Sequence, residues 1–218
     1  MRSWLQGSYK FRTQVRPARS GEEFDIDLGI FYCWPGDAER GPFTNAQLRQ
    51  ATQASILRYA QTAQEVKSVD VPAKPRCARI RYDGDFHIDV PSYHLDPAVD
   101  DRTLAAKDQW ELSDPKAIYL WFKNQFDDAT RARVRRQIRY IKFWSQLKWS
   151  LDGGRPSSVR LTVLVAEAYD SLKDEGLGSD DGTLLAVLRH LSRRVGRSQR
   201  VPNPVNPSED LNRLSEEQ

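Results

Sequence analysis

The sequence contains little sulfur, with two cysteines and one methionine among its 218 residues. Cys33 and Cys77 are too few to form a disulfide framework, and this scarcity predicts a protein of the reducing cytoplasm. No apolar run approaches the ~18 residues that a membrane span requires, and residues 1–7 have no apolar signal core. We therefore expect a chain without a membrane segment, and we exclude the small secreted disulfide-rich folds.

An excess of one charge is also lacking, since 33 lysines and arginines stand against 30 aspartates and glutamates, for a formal net charge of +3. Hydrophobic residues make up 39% of the chain and aromatic residues 10%, which excludes collagen-like and wholly disordered proteins. This apolar content is enough for one sizeable core, or for two small lobes that share one. The total charge predicts no partner, whereas the distribution of charge does.

A basic segment occupies residues 129–151, which contain seven cations and no acidic residue. Its apolar residues recur at three-, four- and six-residue steps, so the segment is predicted to form an amphipathic helix with a basic face. That face is either a solvated surface or part of a groove that binds polyphosphate or nucleic acid. The apolar positions are Val134, Ile138, Ile141 and Leu147, and the cations are Arg131, Arg133, Arg135, Arg136, Arg139, Lys142 and Lys148.

Period-two alternation of apolar and polar residues predicts three strands in the first half of the chain. They cover residues 23–32, 76–82 and 86–93. We expect each strand to have one buried face and one open face, because successive side chains point to opposite sides of a sheet. The Asp83–Gly84 pair between the last two strands predicts a hairpin.

A helix is predicted between the first two strands, since Thr44 and Gln47 have the spacing of a capping box. Its pattern continues to Val66 and is ended by two prolines. This half of the chain is therefore predicted to be α+β. After Asp100 the strands are expected to stop. Helices are then predicted over residues 116–126, 129–151, 159–172 and 183–195, followed by a tail rich in proline and asparagine.

Two carboxylates are predicted to project from one strand face, because Asp25 and Asp27 are two residues apart. Adjacent carboxylates repel, so their pairing is favourable mainly when a cation joins them. Asp89 occupies the open face of a later strand, and the three carboxylates converge if the two strands are neighbours. Such a site holds two Mg²⁺ ions about 3.5–4 Å apart in phosphoryl transfer. The alternative is that these aspartates are ordinary solvated strand residues.

A Gly7–Ser8 pair precedes the first of these aspartates. Glycine allows close approach of the backbone, so such a turn offers N–H groups and a hydroxyl to a phosphate. Alone, the pair is equally consistent with an ordinary turn. Here the pair is followed by an Asp-x-Asp strand and then by a lone aspartate on a hairpin strand. The combination indicates phosphate chemistry much more specifically than any one of its parts.

Several motifs together resemble the bacterial cGAS/DncV-like nucleotidyltransferases. These proteins are cyclic-dinucleotide and cyclic-oligonucleotide synthases of antiphage signalling, within the DNA polymerase β superfamily. The resemblance covers nearly the whole chain. It is carried by residues 6–9 (QGSY), 12–17 (RTQVRP), 24–29 (FDIDLG), 86–91 (FHIDVP), 142–144 (KFW), 156–158 (PSS) and 203–205 (NPV).

The resemblance implies an α+β, polymerase-β-like fold in which a mixed sheet is followed by a helical lobe. The implied domains are a catalytic lobe over residues 1–100, a helical lobe over 101–200 and a Pro/Asn-rich segment over 201–218. Members of the family carry a helix before the Gly-Ser turn and further helices after the proline-asparagine segment. By this comparison the chain is expected to be truncated at both ends.

The resemblance also implies roles for individual residues. Asp25, Asp27 and Asp89 match the catalytic metal triad, which binds two Mg²⁺ ions, or Mn²⁺ in their place. Gly7 and Ser8 match the phosphate-binding turn. In the helical lobe, Lys142 and Ser158 match a lysine and a serine that bind the triphosphate, and Asn203 and Asp210 lie where the family contacts the nucleobase.

Local explanations remain open for some of these residues. Lys142 is also explained as a solvent-exposed residue of a basic helix, and Ser158 as the N-cap of an apolar helix. His87, His94 and His190 have no zinc-ligand spacing with either cysteine.

The implied function is synthesis of a cyclic di- or oligonucleotide, such as cyclic GMP-AMP, from ATP, GTP or other NTPs. Neither a membrane nor an obligatory nucleic acid is implied as a partner, whereas an activating protein is. One alternative is a nucleotidyltransferase that modifies a protein, a tRNA or a small molecule. Another is a truncated form that binds NTPs without catalysis.

Overall fold

The computed structural model describes residues 1–149, 154–173, 175 and 178–214. The chain divides into two compact units. The first unit contains Met1–Lys10 and Gly21–Pro115, and the second contains Phe11–Ser20 and Lys116–Gln218. These bounds differ from the expected lobes, because the first unit continues past residue 100 and residues 11–20 belong to the second. Of the expected segment 201–218, residues 215–218 lie outside the described part.

The first unit is built on an eight-stranded mixed sheet, with strand order β3-β4-β5-β2-β6-β7-β8 and β1 paired to β2. A short helix, α1 (Gly7–Phe11), follows β1, and a longer helix, α2 (Asn45–Ala60), follows β2. The strands are β1 (Arg2–Gln6), β2 (Phe24–Cys33), β3 (Val66–Val69), β4 (Ala78–Tyr82), β5 (Phe86–Val90), β6 (Ser92–Asp96), β7 (Asp101–Ala105) and β8 (Trp110–Leu112).

The pairing of β2 determines which acidic residues meet. Strand β2 runs parallel to β5 and then to β6, and Asp27 lies opposite Asp89 in this ladder. On its other side β1 is antiparallel, with Gln6 opposite Asp27. The three predicted strands and the β4–β5 hairpin are confirmed, except that the strand predicted over residues 86–93 is divided at Pro91 into β5 and the beginning of β6. The condition for the convergence of the carboxylates, that the two strands are neighbours, is therefore met.

Two of the predicted boundaries in this unit are wrong. The strands do not stop at Asp100, since β7 pairs with β6 and β8 pairs with β7. The helix that begins with the Thr44 capping box ends at Ala60, and Val66 begins the edge strand β3, which pairs with β4. Strand β1 was not predicted at all. These strands are short, three to five residues each, so their pairing rather than their own pattern defines them.

The face of β2 that carries the aspartates is open only in its first half. Phe31 is on the same face, yet it is only 3% exposed and stacks on Tyr93, with ring centroids 4.9 Å apart. Leu95 and Leu104 complete this cluster of buried residues. The expected division into one buried and one open face therefore fails along β2. Instead, an apolar cluster anchors its second half and leaves the aspartates at its beginning.

The second unit is mainly helical and its four predicted helices are confirmed, although the one predicted over residues 129–151 ends at Lys148, and residues 150 and 151 lie outside the described part of the chain. The segment Val159–Leu172 had the most continuous apolar pattern, and the helix there buries nine of its residues, as expected for a central helix. The tail forms a small two-stranded sheet, which was not predicted. The elements are α3 (Pro115–Gln125), α4 (Asp128–Lys148), α5 (Ser158–Ser171), α6 (Asp180–Arg197), β9 (Pro202–Asn203) and β10 (Asn206–Asp210).

Helix α4 has an apolar face different from the predicted one. Val134, Ile138 and Ile141 are buried in the core of the second unit as expected. Leu147 is 55% exposed, and the predicted burial of this residue is wrong. The helix starts where predicted, because Asp127 accepts hydrogen bonds from the backbone N–H groups of residues 129 and 130. Among the described residues, none of the helices has both the length and the apolar character needed to cross a bilayer.

Candidate active site

Asp25, Asp27 and Asp89 lie together at the beginning of β2 and on the adjacent β5. In the parallel register, Asp25 is opposite His87 and Asp27 is opposite Asp89. One potential ligand atom each of Asp25, His87 and Asp89 lie within 4.8 Å of one another. The sheet therefore brings together three carboxylates and an imidazole, a set of donors that suits a divalent cation.

Asp27 is the most perturbed carboxyl of this group. Its pKa is raised from the ordinary value of 3.8 to about 7, chiefly by burial and also by the charges of Asp25 and Asp89. His87 and Arg79 oppose this rise and do not cancel it. A carboxylate that is this unfavourable without a cation is a suitable place for one, because a bound metal stabilises the charged form. The described residues therefore fit a metal ion.

Asp89 is held by an arginine from the neighbouring strand. The Nε and Nη2 atoms of Arg79 donate to the two carboxylate oxygens of Asp89 at 2.5 and 2.6 Å. Burial acts to raise the pKa of Asp89, but the hydrogen bonds and charge of Arg79 outweigh it, so the pKa lies below its ordinary value. Asp89 is thus kept ionised and oriented by a bidentate pair.

Gly7 lies against the central aspartate. Its backbone has a φ of +60°, and a Cβ atom at this position would lie 1.8 Å from Oδ2 of Asp27. Both the left-handed conformation and the close approach therefore require glycine. Ser8 follows as the second residue of α1 and is half-buried. The expected turn is present beside the carboxylates, and its binding of phosphate remains a prediction.

Arg79, His87 and Glu23 surround the aspartates and were not identified from the sequence. The histidines have no zinc-ligand spacing with the cysteines, so that criterion assigns no role to His87. The available signal was the spacing of His87, which is two residues before Asp89 and therefore on the same strand face. No comparable signal exists for Arg79, because its contact depends on the register between β4 and β5.

Lys142 lies in the second unit, and the alternative of solvent exposure is wrong. Lys142 is only 6% exposed, and its Nζ atom donates a hydrogen bond to the backbone carbonyl of Thr13 at 2.9 Å. Arg135 and Arg139 of the same helix donate to the carbonyls of Phe11 and of the residue after it. Part of the basic face therefore anchors residues 11–13, which explains why these cations are not freely solvated.

Ser158 also lies in the second unit, as the first residue of α5, and its side chain is exposed. The expected N-cap role belongs to Ser157 instead, whose hydroxyl accepts from the backbone N–H of Arg160. In the tail, Asn203 is buried and donates to Glu209 at 2.7 Å.

Asp210 likewise has a structural role in the tail. One of its oxygens accepts from the N–H groups of Val201 and Asn212, both at 2.9 Å. These two hydrogen bonds hold the pKa of Asp210 below its ordinary value. Asp210 therefore stabilises the turn around β9 and β10, and a contact with a nucleobase remains a prediction.

Comparisons with known proteins agree with this geometry. Residues 1–93 match the family described as "Cyclic GMP-AMP synthase DncV-like, nucleotidyltransferase domain". The chain is 32% identical over 211 residues to a cyclic GMP-AMP synthase of Escherichia albertii, a match that covers 95% of this chain and 45% of that protein. A c-di-GMP synthase of Roseivirga ehrenbergii is 27% identical, over 94% of this chain and 59% of that protein.

A solved structure with the same fold is that of Vibrio cholerae DncV in complex with the linear intermediate 5′ pppA(3′,5′)pG. It is 26% identical, has a TM-score of 0.78 and covers 100% of this chain and 57% of the DncV chain. The chain thus spans about half the length of the relatives that it matches. The predicted α+β, polymerase-β-like fold is confirmed, and residues 1–93 are a DncV-like nucleotidyltransferase domain.

Proposed function

We propose that this chain is a metal-dependent nucleotidyltransferase that makes a cyclic di- or oligonucleotide, such as cyclic GMP-AMP, from NTPs. The observation that carries the proposal is the position of Asp27, held between Asp25 and Asp89 with a pKa raised to about 7. Three carboxylates this close together are suited to binding a cation. Two-metal catalysis of phosphoryl transfer is the chemistry that such a cluster supports. The similarity to cyclic dinucleotide synthases supports the choice of substrate.

In the proposed reaction, the 3′-hydroxyl of one nucleotide attacks the α-phosphate of an NTP, and pyrophosphate leaves. Asp25, Asp27 and Asp89 would hold Mg²⁺, or Mn²⁺, which neutralises the phosphates and the attacking oxygen. Asp89, ionised and oriented by Arg79, accepts the proton of the attacking hydroxyl. A second transfer with the roles exchanged closes the ring.

The remaining residues are proposed to bind the nucleotide. Gly7 and Ser8 would contact phosphate through backbone N–H groups and the hydroxyl, beside Asp27. Lys142 and Ser158 are proposed as ligands of the triphosphate, and the support for them is the motif resemblance. ATP and GTP are the proposed substrates. We also propose that the protein acts in antiphage signalling in the cytoplasm and that another protein activates it.

The proposal is tested by incubating the protein with Mg²⁺ and all four NTPs, and by analysing phosphatase-resistant products by mass spectrometry. Asp27→Asn is the inactive variant, and Asp83→Asn, which removes an exposed carboxylate of the same unit, is the matched control. We expect a cyclic product from the wild type and the control. Transfer only to an added acceptor would favour the alternative transferase, and NTP binding without any product would contradict catalysis.

A further inference from the structure

His87 is a buried residue whose ring lies beside the aspartates of the candidate active site. It is 7% exposed and lies on β5, two residues before Asp89. Its Nε2 atom is 3.2 Å from Oδ1 of Asp25. Neither its burial nor its position between charged groups is explained by packing alone, because a buried polar ring costs free energy unless both nitrogens have partners.

One nitrogen of this ring has a well-defined partner. Nδ1 of His87 is 2.8 Å from Oε2 of Glu23. The same carboxylate forms an ion pair with Arg81, whose Nε atom pairs with Asp70 at 3.0 Å. Since an ionised carboxylate only accepts hydrogen bonds, Nδ1 of His87 is the donor to Glu23. Glu23 therefore fixes the orientation of the ring and leaves Nε2 as the nitrogen that would bind a metal ion, which requires the neutral imidazole.

The other nitrogen faces the aspartates without a hydrogen bond. Within the described part of the chain, Nε2 is buried and has no hydrogen-bond partner, although Asp25 is close. Two donor atoms bound at right angles to one ion, each at about 2.1 Å, are about 3.0 Å apart. The 3.2 Å between Nε2 and the Asp25 oxygen is close to that separation. Metal-bound histidines usually donate their second N–H to a carboxylate, which is the arrangement with Glu23.

We propose that His87 is a nitrogen ligand of the metal centre, that Glu23 positions it, and that it shifts the preference of the centre from Mg²⁺ toward Mn²⁺. Imidazole is a good ligand for transition metals, whereas Mg²⁺ is bound almost entirely by oxygen. The inference rests on the proposed function only in that the carboxylates beside His87 hold a metal. His87 would add a nitrogen ligand to the three carboxylates, and with it a preference for Mn²⁺ that the carboxylates alone do not provide.

The direct test is pulsed electron paramagnetic resonance of the nucleotide-free wild-type protein loaded with Mn²⁺. A ligating imidazole gives a ¹⁴N coupling on the metal, and the coupling changes when the protein contains ¹⁵N-labelled histidine. We expect that coupling and its isotope change. Bound Mn²⁺ without a histidine coupling would overturn the assignment of His87 and leave the carboxylate site intact. No bound Mn²⁺ at all would contradict the proposed function itself.

Variants test the ion preference by comparing the Kd values of Mn²⁺ and Mg²⁺. His87→Gln replaces the nitrogen ligand, and Glu23→Gln removes the acceptor that orients it. We expect either change to weaken Mn²⁺ binding by about 10-fold or more, the usual effect of losing a supporting contact, and to affect Mg²⁺ much less. His190→Gln, in α6 of the second unit, is the matched control and should change neither Kd. Equal losses for both ions, or an unchanged ratio in His87→Gln, would contradict the inference.

Discussion

Asp27→Asn should make the metal-free protein more stable, and the gain should grow with pH. The carboxyl of Asp27 has its ordinary pKa of 3.8 in the unfolded chain and a pKa of about 7 in the folded protein. Because the folded value is the higher one, the contribution of Asp27 to stability is complete below pH 3.8. It is lost as the pH rises through 7. Asparagine has a similar shape and no charge to remove, so the variant keeps that contribution.

The size of the effect follows from the two pKa values. At about 1.36 kcal/mol per pH unit, the full change in the free energy of unfolding is roughly 4 kcal/mol. Between pH 5 and pH 8, where the protein is more easily handled, the difference between variant and wild type should grow by about 2.5 kcal/mol. Burial is the largest cause of the shift, and repulsion by Asp25 and Asp89 adds to it.

The assay is urea denaturation of both proteins at pH 5, 6, 7 and 8 in the presence of a chelator. Asp83→Asn removes an exposed carboxylate from the same unit and controls for the change in net charge. Addition of Mg²⁺ at pH 8 should raise the stability of the wild type, because a cation bound only by the folded protein shifts the equilibrium toward it. A difference between variant and wild type that stays constant from pH 5 to pH 8 would refute the reasoning.

Other substitutions test the contacts around this site. Gly7→Ala should lower the free energy of unfolding by at least about 2 kcal/mol and abolish NTP binding. Gly21 has a similar φ but open space around it, so Gly21→Ala should lower the free energy of unfolding by only about 1 kcal/mol. Arg79→Gln should lower the free energy of unfolding by about 3 kcal/mol at pH 8, because it leaves the charge of Asp89 buried and unpaired. The loss should be smaller at pH 5, where protonation removes that charge. A loss that does not depend on pH would contradict this explanation. Lys142→Ala should weaken NTP binding measured by fluorescence titration, by a factor that shrinks as salt rises. Equal affinities of the variant and the wild type at low salt would contradict a role of Lys142 in binding the triphosphate.

The sequence alone predicts the part of the site that depends on local periodicity. Asp25 and Asp27 had to share a strand face because they are two residues apart, and Gly7 was recognisable beside a serine in a phosphate-binding pattern. Their meeting with Asp89 could be stated only as a condition, because parallel pairing joins segments that are about sixty residues apart. The motif resemblance, rather than periodicity, predicts that this condition is met.

The contacts that charge and shape the site could not be predicted in the same way. Arg79 and Arg81 alternate on β4 as in any exposed strand, and only the register with β5 places them near Asp89 and Glu23. The burial of Lys142 has a similar origin. A basic helical pattern does not show which cations face outward, since that choice depends on a segment more than a hundred residues earlier, around Thr13.

The charges around the aspartates form an ordered chain that runs from the sheet edge to the site. Asp70 pairs with Arg81, Arg81 with Glu23, and Glu23 with the ring of His87. Each member fixes the next, and most are partly shielded from water, so a flexible side chain at any one position would loosen the ones that follow. Such a chain adds little to stability, because buried ion pairs roughly balance their desolvation cost. Its benefit is geometric: it holds the ring of His87 at a fixed point beside the carboxylates, before any ligand arrives.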